Sequence, residues 1–105
     1  MVKVIASGST GNSVLYFNSI LIDAGVPFNF IAPYLKNIQI LLLTHKHKDH
    51  FNGATIKRLA AERPALRIGC GEWMIDSLTY SGISRNIDMY EIGKIYDYGK
   101  FQISP

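Results

Sequence analysis

From Ile38 to Leu43 the chain is almost continuously apolar, and it then passes without a turn signal into Thr44-His45-Lys46-His47-Lys48-Asp49-His50. A short apolar run of this kind is the pattern of a strand covered on both faces, the centre of a layered α/β sheet. All three histidines of the chain lie at positions 45–50. Chance scattering would produce so tight a window in roughly one chain in 200, which sets the false-positive risk of reading it as a motif. Neutral imidazole and carboxylate are the donors suited to zinc, iron or manganese. Ligand sites of open α/β sheets form beyond the carboxyl ends of strands, which is where His45, His47, Asp49 and His50 fall. A solvated polar loop would account for one or two such residues, but four donors in six positions point to a metal.

The flanking sequence supplies short elements. Val2 to Ala6, Ser13 to Phe17 and Ile20 to Asp23 read as three strands of an antiparallel meander, with Asn18-Ser19 as a two-residue turn. Between the first two lies Ser7-Gly8-Ser9-Thr10-Gly11-Asn12, whose glycines permit positive φ and close backbone approach. Pro27 to Leu35 reads as a short helix that Pro33 disfavours continuing. Helical spacing of Ile56, Leu59 and Ala60 predicts a helix from Gly53 to Glu62 that Pro64 ends. Leu66 to Cys70 reads as a strand and Glu72 to Tyr80 as a helix with Met74, Ile75 and Leu78 inward, closed by Ser81-Gly82. Ile87 to Ile92, Ile95 to Tyr98 and Phe101 to Ser104 read as β, with turns at Gly93 and Gly99. Trp73 is assigned to the core, and Cys70 to a small buried residue rather than a ligand.

Composition narrows the class. With 105 residues the chain has room for one domain, and 48% hydrophobic against 18% charged residues is globular rather than disordered. A net charge of +3 tolerates an anionic partner without demanding one. The single cysteine excludes an internal disulfide and fits a reducing compartment. No segment approaches a signal peptide or the ~20 apolar residues of a membrane span. A cytoplasmic protein with no membrane partner is expected.

The motif Thr44-His45-x-His47-x-Asp49-His50, preceded by Ile40 to Leu43 and by Leu21-Ile22-Asp23-Ala24-Gly25, resembles the metallo-β-lactamase fold superfamily of metal-dependent hydrolases. The resemblance implies an α/β fold: the N-terminal half of an αββα sandwich, with a mostly antiparallel mixed sheet and helices on one face. It implies two divalent metal ions, zinc first, with manganese or iron as alternatives. His45 and His47 would bind the first, and Asp49 and His50 the second. Asp49 would also orient the nucleophilic water, and Asp23 would fix a ligand imidazole by accepting its other N–H. A plain turn-former is the alternative for Asp23. The loop from Ser7 to Ser13 is similar to the Gly/Ser-rich loop of the branch that contains phosphodiesterases and nucleases. Ser9, Thr10, Gly11 and Asn12 thus become candidates for a phosphate or substrate loop, with a plain strand connection as the alternative. Lys46, Lys48, Lys57 and Arg58 would suit a phosphate ester or nucleic-acid substrate, although a solvated helix face explains the last two equally well. An aromatic-basic nucleic-acid surface at Tyr96, Tyr98, Phe101, Lys94 and Lys100 competes with simple strand alternation.

The ligand set is short. A two-metal site needs more donors than these, and no histidine follows His50. Residues 1–105 are therefore expected to be one half of the domain, as a fragment of a longer chain, a half completed by a second copy or a truncated product, since a lone half would expose the sheet face that its partner covers. The alternative function is a catalytically incomplete half that binds one metal weakly or only assembles with a partner.

Overall fold

A computed structural model describes residues 2–105. Strands β1 (Val2–Ala6), β2 (Ser13–Tyr16) and β3 (Ile20–Ile22) form the antiparallel meander. Its tight turn is centred one residue earlier than the sequence suggests, on Phe17 and Asn18. Both have positive φ, and Ser19 N donates to Tyr16 O at 2.9 Å. Two consecutive left-handed residues give the turn whose twist matches the strands it joins. The chain then crosses through helix α1 (Phe28–Ile31) and a 3-10 turn (Ala32–Asn37) to β4 (Ile40–Leu43). The helix expected from Pro27 to Leu35 thus divides, and Pro33 sits near the start of the tighter turn.

Helix α2 (Gly53–Glu62) leads to β5 (Arg67–Cys70), and a 3-10 turn (Glu72–Met74) with helix α3 (Ile75–Tyr80) leads to β6 (Ile87–Met89). The six strands lie in the order β1-β2-β3-β4-β5-β6. A mostly antiparallel sheet was expected, but the pairings of β3 with β4, β4 with β5 and β5 with β6 are parallel. Each of these neighbours is reached through a helical crossover, which returns the chain in the same direction. Strands β7 (Tyr96–Asp97) and β8 (Gln102–Ile103) make a separate hairpin.

Register sorts the side chains between the two faces. Leu15, Leu21, Leu41, Ile68, Leu43 and Cys70 join Ile31, Ile56, Leu59, Met74 and Leu78 of the helices in one buried cluster. All three helices contribute to it, so they lie on one face of the sheet. The other face carries Val14, Tyr16, Ile20, Ile22 and Leu42, all half-buried, with Val2 52% and Val4 59% exposed on β1. Towards β5 and β6 it is sheltered: Ile40 of β4, on this face beside Ile20, is 1% exposed, and Tyr90 lies so closely over Gly69 that a Cβ there would meet its hydroxyl. The accessible surface of 6402 Å² exceeds the about 5,900 Å² expected of a folded monomer of this mass, in keeping with that open face.

Two polar devices join the edges of this frame. Arg63, which ends α2, donates from its guanidinium to Lys36 O at 2.8 Å and Ile38 O at 3.0 Å, fixing the entry into β4. Asn52 caps the other end of α2, its side chain accepting from Thr55 N at 3.2 Å.

Candidate metal centre

β3 and β4 end side by side, and the residues that follow them, Asp23 and Thr44, meet in polar contact. Asp23 follows β3 with φ 60, a left-handed conformation that Asp tolerates better than most residues. Asp23 N continues the ladder by donating to Leu42 O at 2.8 Å, and Ser13 Oγ donates to Asp23 O at 2.8 Å. The carboxylate is thereby turned towards the residues after β4. It is 5% exposed. A buried carboxylate needs donors, and three are supplied: Thr44 N to Oδ1 at 2.8 Å, and the Thr44 hydroxyl and His50 Nδ1 to Oδ2, the last at 2.8 Å.

This arrangement settles the protons of two imidazoles. A carboxylate only accepts, so the Thr44 hydroxyl spends its one proton on Asp23, and Thr44 Oγ1 accepts from His45 Nδ1 at 2.8 Å. His50 Nδ1 donates to Asp23 in the same way. With Nδ1 donating, the neutral form of each ring has its lone pair on Nε2. The rings lie 4.4 Å apart between centroids. Among the described residues, Asp23, His45 and His50 bring potential ligand atoms within 4.8 Å of one another. With three donors already on its two oxygens, Asp23 is placed to hold the ring of His50 rather than to bind a cation itself.

The far side of His50 faces Asp49, with Nε2 3.6 Å from Oδ2. Two donors bound to one zinc at about 2.0–2.2 Å each, at a tetrahedral angle, stand about 3.4 Å apart. The pair therefore fits a shared divalent cation. His47 is not brought into this group. Its side chain is exposed, while its carbonyl accepts from His50 N and Phe51 N, both at 2.9 Å, and so closes the turn.

The Gly/Ser-rich loop packs directly against this turn. Asn12 Nδ2 donates to Asp49 O at 3.0 Å and approaches Asp49 Oδ2 at 3.4 Å, while its Oδ1 accepts from Gly8 N at 3.1 Å. Asn12 thus ties the two loops together. Gly11 lies against Gly25, and a Cβ on Gly25 would meet Asp49 O at 2.1 Å, so the strand end and the histidine loop touch through bare backbone. Ser9 and Thr10 line an open groove of about 650 Å³ with Lys48 and Asp49.

Two participants are missing from the sequence-based set of site residues. Thr44 was visible only as the first letter of the motif, yet it links Asp23 to His45. Trp73, assigned to the core, is 59% exposed at the rim, with its Nε1 donating to Thr44 O at 3.4 Å. It projects outward because the short 3-10 turn directs Met74 inward in its place. Cys70 is buried as expected, and burial, helped by Asp88, pushes its thiol up to about 11. No helix among the described residues is long and apolar enough to cross a membrane.

No protein-family model and no curated protein matches the sequence. Solved structures do. The chain is similar to the metallo-beta-lactamase fold protein YhfI from Bacillus subtilis, with a TM-score of 0.70 and 19% identity over 98% of this chain and 50% of that one. It is also similar to diflavin flavoprotein A 5 (fragment 1-254) from Nostoc sp. PCC 7120, with a TM-score of 0.62 and 21% identity over 86% of this chain and 40% of that one. The chain spans half or less of the length of these structures. Its six-stranded mixed sheet with helices on one face has the metallo-β-lactamase fold, over a span that fits the N-terminal half.

Proposed function

We propose that the protein is a metal-dependent hydrolase that cleaves a phosphodiester, in a nucleic acid or a small phosphate ester. His45, His47, Asp49 and His50 are its ligands from this half of the domain, for two divalent cations with zinc first. The observation that supports it most is the setting of His50, whose Nδ1 is held by Asp23 at 2.8 Å while its bare Nε2 faces Asp49 at 3.6 Å. Bound divalent ions supply a water that is deprotonated near neutral pH and polarise the scissile phosphoryl group. The chain's own residues prepare that chemistry. Asp23 keeps the Nδ1 proton on His50, and Thr44 Oγ1 keeps the Nδ1 proton on His45, so both Nε2 atoms are ready as ligands without a proton shift. Asn12 restrains the loop that carries Asp49. The exposed cations Lys46 and Lys48 flank the site, where they suit phosphate oxygens.

The position of His47 favours a second reading, in which this chain alone binds one cation weakly through Asp49 and His50 and gains activity only with a partner half. Metal analysis and cleavage of bis(p-nitrophenyl) phosphate, with and without chelator, separate the two. Hydrolysis that a chelator abolishes and zinc or manganese restores supports the first. One weakly held equivalent of metal without turnover supports the second. His45→Ala and Asp49→Ala are each expected to lower turnover by at least a hundredfold while the fold is kept, because these exposed or half-exposed loop residues add little to the core. Unchanged turnover in either variant removes that residue from the site.

A further inference from the structure

Asn12 stands apart from its neighbours in the Gly/Ser-rich loop. Ser9 and Thr10 are exposed along the open groove, whereas Asn12 is half-buried and its amide is already committed. A side-chain amide has two N–H donors. Asn12 Nδ2 spends them on Gly8 O at 2.7 Å and Asp49 O at 3.0 Å, and Oδ1 accepts from Gly8 N at 3.1 Å. A substrate could engage this N–H pair only by breaking bonds that the protein makes to itself.

What the amide holds is the more informative part. Among the described residues, the one hydrogen bond accepted by the Asp49 carboxylate comes from Asn12 Nδ2, at 3.4 Å. That carboxylate is 31% exposed, so little else restrains its rotation. The main chain of Asn12 is fixed in turn, its carbonyl accepting from Gly25 N at 3.0 Å. The next residue, Ser13, is 0% exposed and donates from Oγ to Asp23 O at 2.8 Å. In extended chain successive side chains point to opposite sides, so Asn12 reaches one acidic residue of the centre and Ser13 the other. Those two residues flank His50, Asp23 Oδ2 at 2.8 Å from Nδ1 and Asp49 Oδ2 at 3.6 Å from Nε2. One dipeptide thus sets the frame in which the gap between Asp49 and His50 suits a divalent cation.

We propose that Asn12 is a positioning residue for Asp49, acting on the metal centre and not on the substrate. The role rests on the metal-dependent hydrolase reading, and two measurements keep their failures apart. In metal-free protein the two Nδ2 protons of Asn12 are expected as separate, exchange-protected signals in 15N NMR spectra, whereas an amide kept for substrate would exchange freely. Freely exchanging protons overturn the proposal whether or not zinc binds, and no variant has to fold for this result. The second measurement is zinc affinity, by competition with a chromophoric chelator. Asn12→Ala is expected to weaken it about tenfold, the lower end of the effect of outer partners because the bond to the carboxylate is long. The visible spectrum of the cobalt(II) form should shift with it, as Asp49 loosens from the ion. Asp88→Asn, which removes a carboxylate paired with Arg67 and in contact with none of the candidate ligands, should leave both readouts unchanged and so controls for lost stability. Affinity indifferent to Asn12→Ala, an equal loss in Asp88→Asn, or a weaker affinity with an unchanged cobalt(II) spectrum overturns the positioning role alone. A parent protein that binds no zinc overturns the metal-centre reading itself, and the role with it.

Discussion

At the scale of single residues, Asp23 does most to organise the site. It receives three hydrogen bonds from donors on two sides of the histidine loop, and through Thr44 it also sets the proton on His45, a ring it does not touch. Asp23→Asn turns one acceptor into an NH2 group facing donors, which forces either Thr44 or His50 to give up its proton arrangement. Outer partners of metal-bound histidine typically contribute ten- to a hundredfold in affinity. Asp23→Asn is therefore expected to weaken zinc binding by about that factor in a calorimetric titration, with a far-UV circular dichroism spectrum like that of the parent. Unchanged affinity would reduce Asp23 to a turn residue. The candidate ligands were legible in the sequence because their types and spacing are themselves the signal. The relay through Thr44 was not, because a threonine beside histidines has no distinctive pattern, and its role depends on a carboxylate 21 positions away.

At the scale of elements, the parallel crossovers give the sheet its shape and the C-terminal hairpin depends on one polar network. Arg67 on β5 pairs with Asp88 on β6, Tyr98 donates to Asp88 Oδ2 at 2.8 Å, and the hydroxyls of Tyr90 and Tyr98 lie 2.6 Å apart. The Arg67 hydrogen bond holds the Asp88 carboxyl below its ordinary value of 3.8 against the opposing effect of burial. Burial, followed by its hydrogen bonds to Tyr90 and Asp88, pushes the Tyr98 phenol up, so it stays a donor through neutral and mildly basic pH. A carboxylate depressed in the folded state contributes stability above its unfolded value, and that contribution is lost as pH falls through the folded one. Asp88→Asn is expected to cost about 1 kcal/mol at pH 7, a small value because solvent screens the 41% exposed Arg67. In urea unfolding the gap between parent and variant should close as pH drops below about 4. A gap constant down to pH 3 would show that charge is not what Asp88 contributes. The strands of this hairpin were readable from alternation, and the turns at Gly93 and Gly99 do have positive φ. Alternation did not reveal that Tyr98 turns inward to a carboxylate, since either face of an isolated hairpin reads the same.

For the whole molecule the governing fact is a sheet with one covered face and one open one. Val2 and Val4 lead a strip of apolar side chains that no helix reaches. The 105-residue chain is expected to self-associate through that strip as concentration rises, and Val2→Lys with Val4→Lys should shift it to monomer in sedimentation velocity without lowering its helix content. A parent that stays monomeric across the micromolar range would sink this expectation. By itself the sequence determined the order of elements, the buried central strand and the histidine loop at its tip, because each is written in local periodicity or in residue type. It also determined that donors are few, a matter of counting. Only the tertiary structure decided that three of the sheet's five strand pairings are parallel, that Trp73 stands outside, that His47 lies apart and that Asp23 sits between Thr44 and His50. These depend on contacts between segments far apart in the chain, where register and burial decide which atoms meet, and local pattern carries no record of them.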